Sequence, residues 1–189
     1  MSISLPGFQN YVTDSQQTYR AVLNAMAYPG RCFQTDGELN APTPLDNATA
    51  SVLLTLADSD TALWLDRRAR SAEEWLRFHC GAPVTSLEQA DIAVALEWPD
   101  FMNLKAGEDE QPELGATLIL QVGALHGGTP LTLSGPGLSE PTVFSPQLPA
   151  TFAADWRKNH ARFPRGVDLI LCSGKLLAAL PRSLTAEVA

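Results

Sequence analysis

Apolar side chains recur at helical spacing along the first part of the chain, at Tyr19, Val22, Leu23 and Met26, and Pro29-Gly30 closes the run. This spacing predicts a helix with one apolar stripe, opened by Thr13 or Asp14 as its cap. After a loop containing Pro42 and Pro44, Asp46 stands where it can cap a second helix reaching Leu56, and residues 61–66 read as a strand. Ser71 and Glu74 have the spacing of a capping box, and Gly81 with Pro83 ends the helix they would start. Residues 91–97 predict another strand. From Trp98 to Glu113 the periodicity fades while Asp100, Glu108, Asp109, Glu110 and Glu113 accumulate against Lys105 alone, the pattern of a solvated loop.

Two β-prone runs, 116–124 and 129–134, flank His126-Gly127-Gly128, which predicts a hairpin because glycine supplies the positive φ of a tight turn. Residues 149–163 read as a helix with Phe152, Trp156 and Phe163 on its apolar face. Strands at 167–172 and 176–180 are expected to pair across the turn Ser173-Gly174. Helices interspersed with strands and two hairpins imply an α/β fold with a mixed sheet flanked by helices, because purely parallel winding needs a crossover after every strand. No repeat or long linker divides the chain, so residues 1–189 are read as a single domain.

Composition narrows the function classes. The 189 residues carry a net charge of −8, which disfavours nonspecific nucleic-acid binding, since phosphate contacts require a clustered basic face. The apolar runs are far shorter than the roughly 20 residues needed to span a bilayer, and MSISLPGFQNYVTDSQQ lacks the basic start and apolar stretch of a secretory signal. The expectation is a cytoplasmic protein that binds neither nucleic acid nor membrane. Cys32, Cys80 and Cys172 are odd in number and widely spaced, against a disulfide framework.

Chemistry-bearing patterns are sparse. His79, Cys80, His126 and His160 show no metal-ligand spacing, so no metal is expected. Cys172 ends an apolar strand, a setting more usual for a buried structural thiol than for a nucleophile. Phosphate-cradling glycine motifs of the standard types are absent, although Gly135-Pro136-Gly137 follows a predicted strand and lets backbone N–H groups approach an anion closely. Charge is more telling: from Asp155 to Arg182 six cations face two carboxylates, a net +4 within an acidic chain. Arg165 and Arg182 each follow a proline beside a predicted strand, where a guanidinium fork can address phosphate or phosphonate. Arg165, Arg182, Gly135 and Gly137 are therefore the candidate anion-binding residues, against the alternative of surface solvation or a protein interface. Lys175, in a Ser-Gly-Lys turn, is the candidate for a Schiff base with pyridoxal phosphate, disfavoured because an exposed amine is not desolvated.

Seven segments carry a resemblance: AMAYPG (25–30), SVLLTLADSDTALWL (51–65), LRFHCGAP (76–83), GATLILQV (115–122), LTLSGPG (131–137), FPRGVDLIL (163–171) and LPRS (180–183). In order and over nearly the whole chain, they resemble the PhnH family of the bacterial carbon-phosphorus lyase system. The resemblance implies a fold similar to the large domain of pyridoxal-phosphate-dependent transferases, without the cofactor. It implies a required subunit, not the catalytic one, of a complex that joins a phosphonate such as methylphosphonate to the ribose of ATP with release of adenine. A radical enzyme then cleaves the C–P bond. The implied partners are a second copy of the chain, PhnG, PhnI and PhnL, and PhnJ-type subunits, with ATP or phosphonate as ligand. The resemblance also adds Asp168, conspicuous in FPRGVDLIL, to the candidate ligand-binding residues. A purely structural adaptor is the alternative.

Overall fold

The computed structural model describes residues 5–35, 37 and 39–189. Helix α1 (Tyr11–Ala27) leads to β1 (Phe33–Gln34), α2 (Asn47–Leu56), β2 (Leu63–Leu65), α3 (Glu73–Cys80), β3 (Ile92–Ala95), β4 (Thr117–Gln121), β5 (Leu131–Ser134), β6 (Thr142–Phe144), α4 (Phe152–His160), β7 (Asp168–Ser173), β8 (Leu176–Leu180) and β9 (Thr185–Val188). Among the described residues the strands form two sheets. A six-stranded sheet runs in the order β1-β8-β7-β4-β3-β2, and a three-stranded sheet in the order β6-β5-β9. In the larger sheet β2, β3, β4 and β7 are parallel, whereas β8 is antiparallel to both β7 and β1. The fold is thus α/β with a mixed sheet flanked by helices.

Strand alternation sends side chains to two cores. Ile92, Val94, Ile119, Ile170 and Cys172 meet α1, α2 and α3 on one face. On the other, Ala93, Leu118, Leu120, Leu169 and Leu171 pack against α4 and the smaller sheet, where Trp156 and Phe152 are the largest fully buried side chains. Because both faces are covered, the central strands are apolar without interruption, as buried parallel strands must be.

The expected strands at 61–66, 91–97, 167–172 and 176–180 are present, the last two as the predicted hairpin with Gly174 at φ +60°. The other hairpin does not form. Strand β4 lies in the large sheet between β3 and β7, while β5 pairs with β6 and β9 in the small one. Both β6 and β9 escape the sequence reading, being short and weakly patterned.

Helix α1 starts earlier than predicted, because Asn10, not Thr13 or Asp14, caps it: Asn10 Oδ1 accepts from Thr13 N at 3.1 Å. Its buried face is Thr18, Ala21, Val22 and Ala25, and Tyr19 and Leu23 of the expected stripe are half-exposed. Small residues win this face because α1 packs closely on α2 and β8. Asp46 does precede α2, yet its side chain makes no cap bond there. It accepts instead from Gly174 N at 2.7 Å, fastening α2 to the β7–β8 turn.

The Ser71–Glu74 capping box is also not made. Ser71 Oγ donates to Thr43 O at 3.1 Å, and the chain enters α3 through a 3₁₀ turn, Ala69–Ala72, whose Ala69 N donates to Asp66 Oδ1 at 2.7 Å. Gly81, at φ +70°, ends α3 as expected. The acidic stretch 98–113 is solvated only in part, since Phe101 and Leu104 are buried and anchor it to the second core.

Candidate functional site

Four of the seven motif segments converge on one cleft. Met26 and Ala27 of AMAYPG, Pro136 and Gly137 of LTLSGPG, Asp168 of FPRGVDLIL, and Pro181 and Ser183 of LPRS enclose an open volume of about 450 Å³. Each motif has a local reason for its residues. Gly137 sits at φ +86° with the Ala27 carbonyl so near that a Cβ would fall 2.5 Å from its oxygen. Any side chain there would push the end of α1 away. Gly30, at φ +79°, lies against the Leu133 and Phe144 side chains, so the Pro29-Gly30 turn seats on the smaller sheet.

Asp168 lines the cleft, and its carboxylate is paired with Arg182, which does not itself line it. Asp168 Oδ1 accepts from Arg182 N at 2.8 Å, and Oδ2 accepts from Arg182 Nε at 3.1 Å and Nη2 at 2.6 Å. Arg182 Nη1 donates to the Pro112 carbonyl at 2.5 Å. Both side chains are largely buried, at 13% and 23% exposure, so these are charge-assisted bonds shielded from water. One guanidinium thereby ties the chain leaving β8 to the start of β7 and to the acidic loop.

The other candidates divide. Gly135 belongs to the turn at the cleft, at φ +135° against Ser183 and Leu184. Arg165 pairs with Asp109 of the acidic loop, Nε to Oδ1 at 2.9 Å, and does not line the cleft. Its neighbour Gly166, at φ +134°, is held by Asn159, whose Oδ1 accepts from Val167 N at 2.8 Å while Nδ2 donates to Val167 O at 2.9 Å. Asn159 is 1% exposed and was invisible as a functional position in the sequence, because nothing in a helical NH pair announces a backbone clamp. Gln121 is a second such organiser: its Oε1 accepts from Asp46 N and Thr49 Oγ1, and its Nε2 donates to Pro44 O. Lys175 is exposed on the β7–β8 turn.

The histidines are apart in structure as in sequence. His79 bridges Tyr11 Oη at 3.1 Å and the Leu5 carbonyl at 3.1 Å, and Trp75 Nε1 donates to the same carbonyl, which pins the segment before α1. His160 Nδ1 lies 3.3 Å from Arg182 O, and His126 is exposed in a turn. Among the described residues no three His, Cys, Asp or Glu side chains gather as a metal site, and no helix is long and apolar enough to cross a membrane.

The cysteines differ in chemistry. Burial pushes the Cys172 thiol up to about 12, and burial assisted by the Asp58 carboxylate pushes Cys80 up to about 11. Cys32 is exposed, with its thiol raised by partial burial. A thiol reagent at pH 8 is therefore expected to label Cys32 first in the native protein and to reach Cys172 only on unfolding. Rapid native labelling of Cys172 would contradict this packing.

Comparison with known proteins gives consistent relatives. The family model described as bacterial phosphonate metabolism protein (PhnH) matches residues 6–187. The alpha-D-ribose 1-methylphosphonate 5-triphosphate synthase subunit PhnH of Rhizobium meliloti (strain 1021) is 35% identical over 187 residues, covering 95% of this chain and 94% of that protein. A putative C-P lyase subunit protein, HtxG, of Stutzerimonas stutzeri is 34% identical over 177 residues, covering 89% and 83%.

Proposed function

This chain belongs to the PhnH family of bacterial phosphonate metabolism proteins, and on that premise we propose that it is a required, positioning subunit of the assembly that joins a phosphonate to the ribose of ATP. The name of the Rhizobium relative specifies a product with methylphosphonate on ribose C1 and triphosphate on C5. Forming it from ATP and methylphosphonate makes one bond, from a phosphonate oxygen to C1, and breaks the glycosidic bond, so that adenine departs with a proton. Such a displacement is governed by positioning and by stabilisation of charge at the anomeric carbon.

The observation that carries the reading is the convergence of four family segments on the cleft lined by Asp168, whose carboxylate holds Arg182. One wall is held by the close backbone approach of Gly137 to Ala27, which gives a rigid recognition surface. We assign Gly135, Gly137, Asp168 and Arg182 to shaping this cleft. Arg165, paired to an exposed carboxylate, is the member whose guanidinium is cheapest to redirect to an anion, because exposed pairs contribute at most about 1 kcal/mol. The chain works as a homodimer in the cytoplasm, in contact with PhnG-, PhnI- and PhnJ-type subunits. Its sheet is related to that of the large domain of pyridoxal-phosphate transferases, and the exposed setting of Lys175 supports a role without Schiff-base chemistry. One observation favours the adaptor alternative: Arg182 is fully engaged by Asp168 and Pro112, so an incoming anion would have to displace a carboxylate from it.

The test is adenine release from ATP and methylphosphonate by the reconstituted partner subunits, with and without this chain. Strict dependence is expected, and equal turnover without the chain would overturn the proposal. Met26→Arg, at the cleft wall, separates the two readings. Intact assembly with lost turnover supports positioning, whereas loss of co-purification supports the adaptor.

A further inference from the structure

The carboxyl ends of the adjacent parallel strands β2 and β3 open into a groove of about 320 Å³ that shares no lining residue with the motif-lined cleft. In α/β proteins this end of the sheet is where ligands gather, because the loops leaving neighbouring strands diverge there and present their polar groups to one crevice. Here the two loops are fixed to each other by Asp66. Its carboxylate is buried and accepts from Ala69 N at 2.7 Å on its own side, and from Leu96 N at 2.6 Å and Glu97 N at 3.2 Å across the groove. The groove is consequently set before any ligand arrives, which lowers the ordering cost of binding.

Its wall is aromatic. Trp98 stacks on Phe101 at 4.8 Å and 22°, stands T-shaped to Phe152 at 5.4 Å, and donates Nε1–H to Asp155 Oδ2 at 3.1 Å. Those contacts fix one indole, half-buried, beside a second half-buried indole, Trp64. Both indoles line the groove, and an indole is a stacking platform for a planar base, a contact worth about 1–3 kcal/mol per base. At the rim stand Arg67 and Arg68. Arg68 Nε lies 3.3 Å from Glu97 Oε1 with both side chains more than half exposed, and Arg67 makes no ion pair among the described residues. A pair so exposed is weak, so the Arg68 fork exchanges readily to phosphate oxygens. The freed Glu97 carboxylate is then an acceptor for ribose hydroxyls.

A planar base, a diol and a polyphosphate are the parts of one ligand class. We infer that the Trp64–Trp98 groove binds a nucleoside triphosphate, with the base against the indoles and the phosphates on Arg67 and Arg68. The inference rests on the reading above, that the chain serves a complex acting on ATP, and gives the chain its own grip on that substrate.

Titration of the isolated chain with magnesium ATP, followed by calorimetry and tryptophan emission, tests it. Saturable binding with quenching is expected, weakened about tenfold by Arg67→Ala and further by Arg67→Ala with Arg68→Ala, one charge-assisted contact being worth about that factor. Both arginines are exposed, and an unchanged melting midpoint will show that the variants fold. Absence of saturable binding, equal affinity of the double variant, or tripolyphosphate binding as tightly as ATP would each overturn the inference. Adenine release in the reconstituted mixture reads the subunit assignment separately. Lost ATP binding with retained dependence on the chain removes only the groove, and retained binding without dependence removes only the subunit reading.

Discussion

Asp168→Asn is expected to lower the stability of this protein by about 3 kcal/mol, because it removes the carboxylate from a largely buried guanidinium and leaves that charge without a counter-ion. The asparagine oxygen can still accept from Arg182 N, but its amide would present N–H groups to Nε and Nη2, donor against donor. For a domain of this size the loss corresponds to a fall of roughly 6–12 °C in the thermal midpoint. Arg182→Gln should cost a similar amount, and the double variant much less than the sum, since the two residues act on each other. Additive effects in that cycle, or an unchanged midpoint for Asp168→Asn, would show that the pair does not hold the cleft. The functional consequence follows from the third contact. Arg182 also holds Pro112, so the variant should loosen the acidic loop and the LPRS segment together. Adenine release in the reconstituted mixture should fall with it at temperatures well below the new midpoint.

How far such contacts were legible in the sequence depended on whether their cause was local. The β7–β8 hairpin was readable because two apolar runs are separated by a short turn with glycine at the required positive φ. The second predicted hairpin has the same local signature and does not form, because turn residues do not choose a strand's partner. A distinguishing signal was present. Leu118, Ile119 and Leu120 form an unbroken apolar run, buried on both faces, as a central strand must be, whereas Leu131-Thr132-Leu133-Ser134 alternates and is buried on one. Two strands with such different patterns belong in different sheets. Asp46 shows another limit. Its position ahead of α2 was correct, yet its carboxylate goes to Gly174, 128 residues later, where no local rule reaches. The candidate site was legible in the same uneven way. Backbone freedom at Gly135 and Gly137 and the cationic fork of Arg182 are readable in the sequence, but that Asp168 consumes this fork is a tertiary fact. The aromatic groove beside β2 and β3 has no motif, since Trp64 and Trp98 come to line it only through folding.

Asn159→Asp should be more damaging than its single-atom change suggests, and the damage should grow with pH. The native amide matches one backbone unit with both of its groups, accepting from Val167 N and donating to Val167 O, at 1% exposure. A carboxylate keeps the first bond and turns the second into oxygen against oxygen, while placing a charge where water cannot reach it. About 3–5 kcal/mol is the expected cost at neutral pH. The protonated acid can donate its O–H to Val167 O and so restores the native pattern. Burial and the facing carbonyl both favour the neutral form, so the folded-state pKa of the introduced group lies above its unfolded value near 3.9. The sign follows: the variant is closest to the parent below about pH 4, and loses stability relative to it as pH rises through the raised folded-state pKa. Denaturant midpoints of both proteins between pH 4 and pH 8 measure the difference. A gap that widens with pH is expected. A constant gap would mean that the introduced carboxylate reaches solvent, and that the clamp setting Gly166, Val167 and the Asp168 end of β7 is looser than its two short bonds indicate.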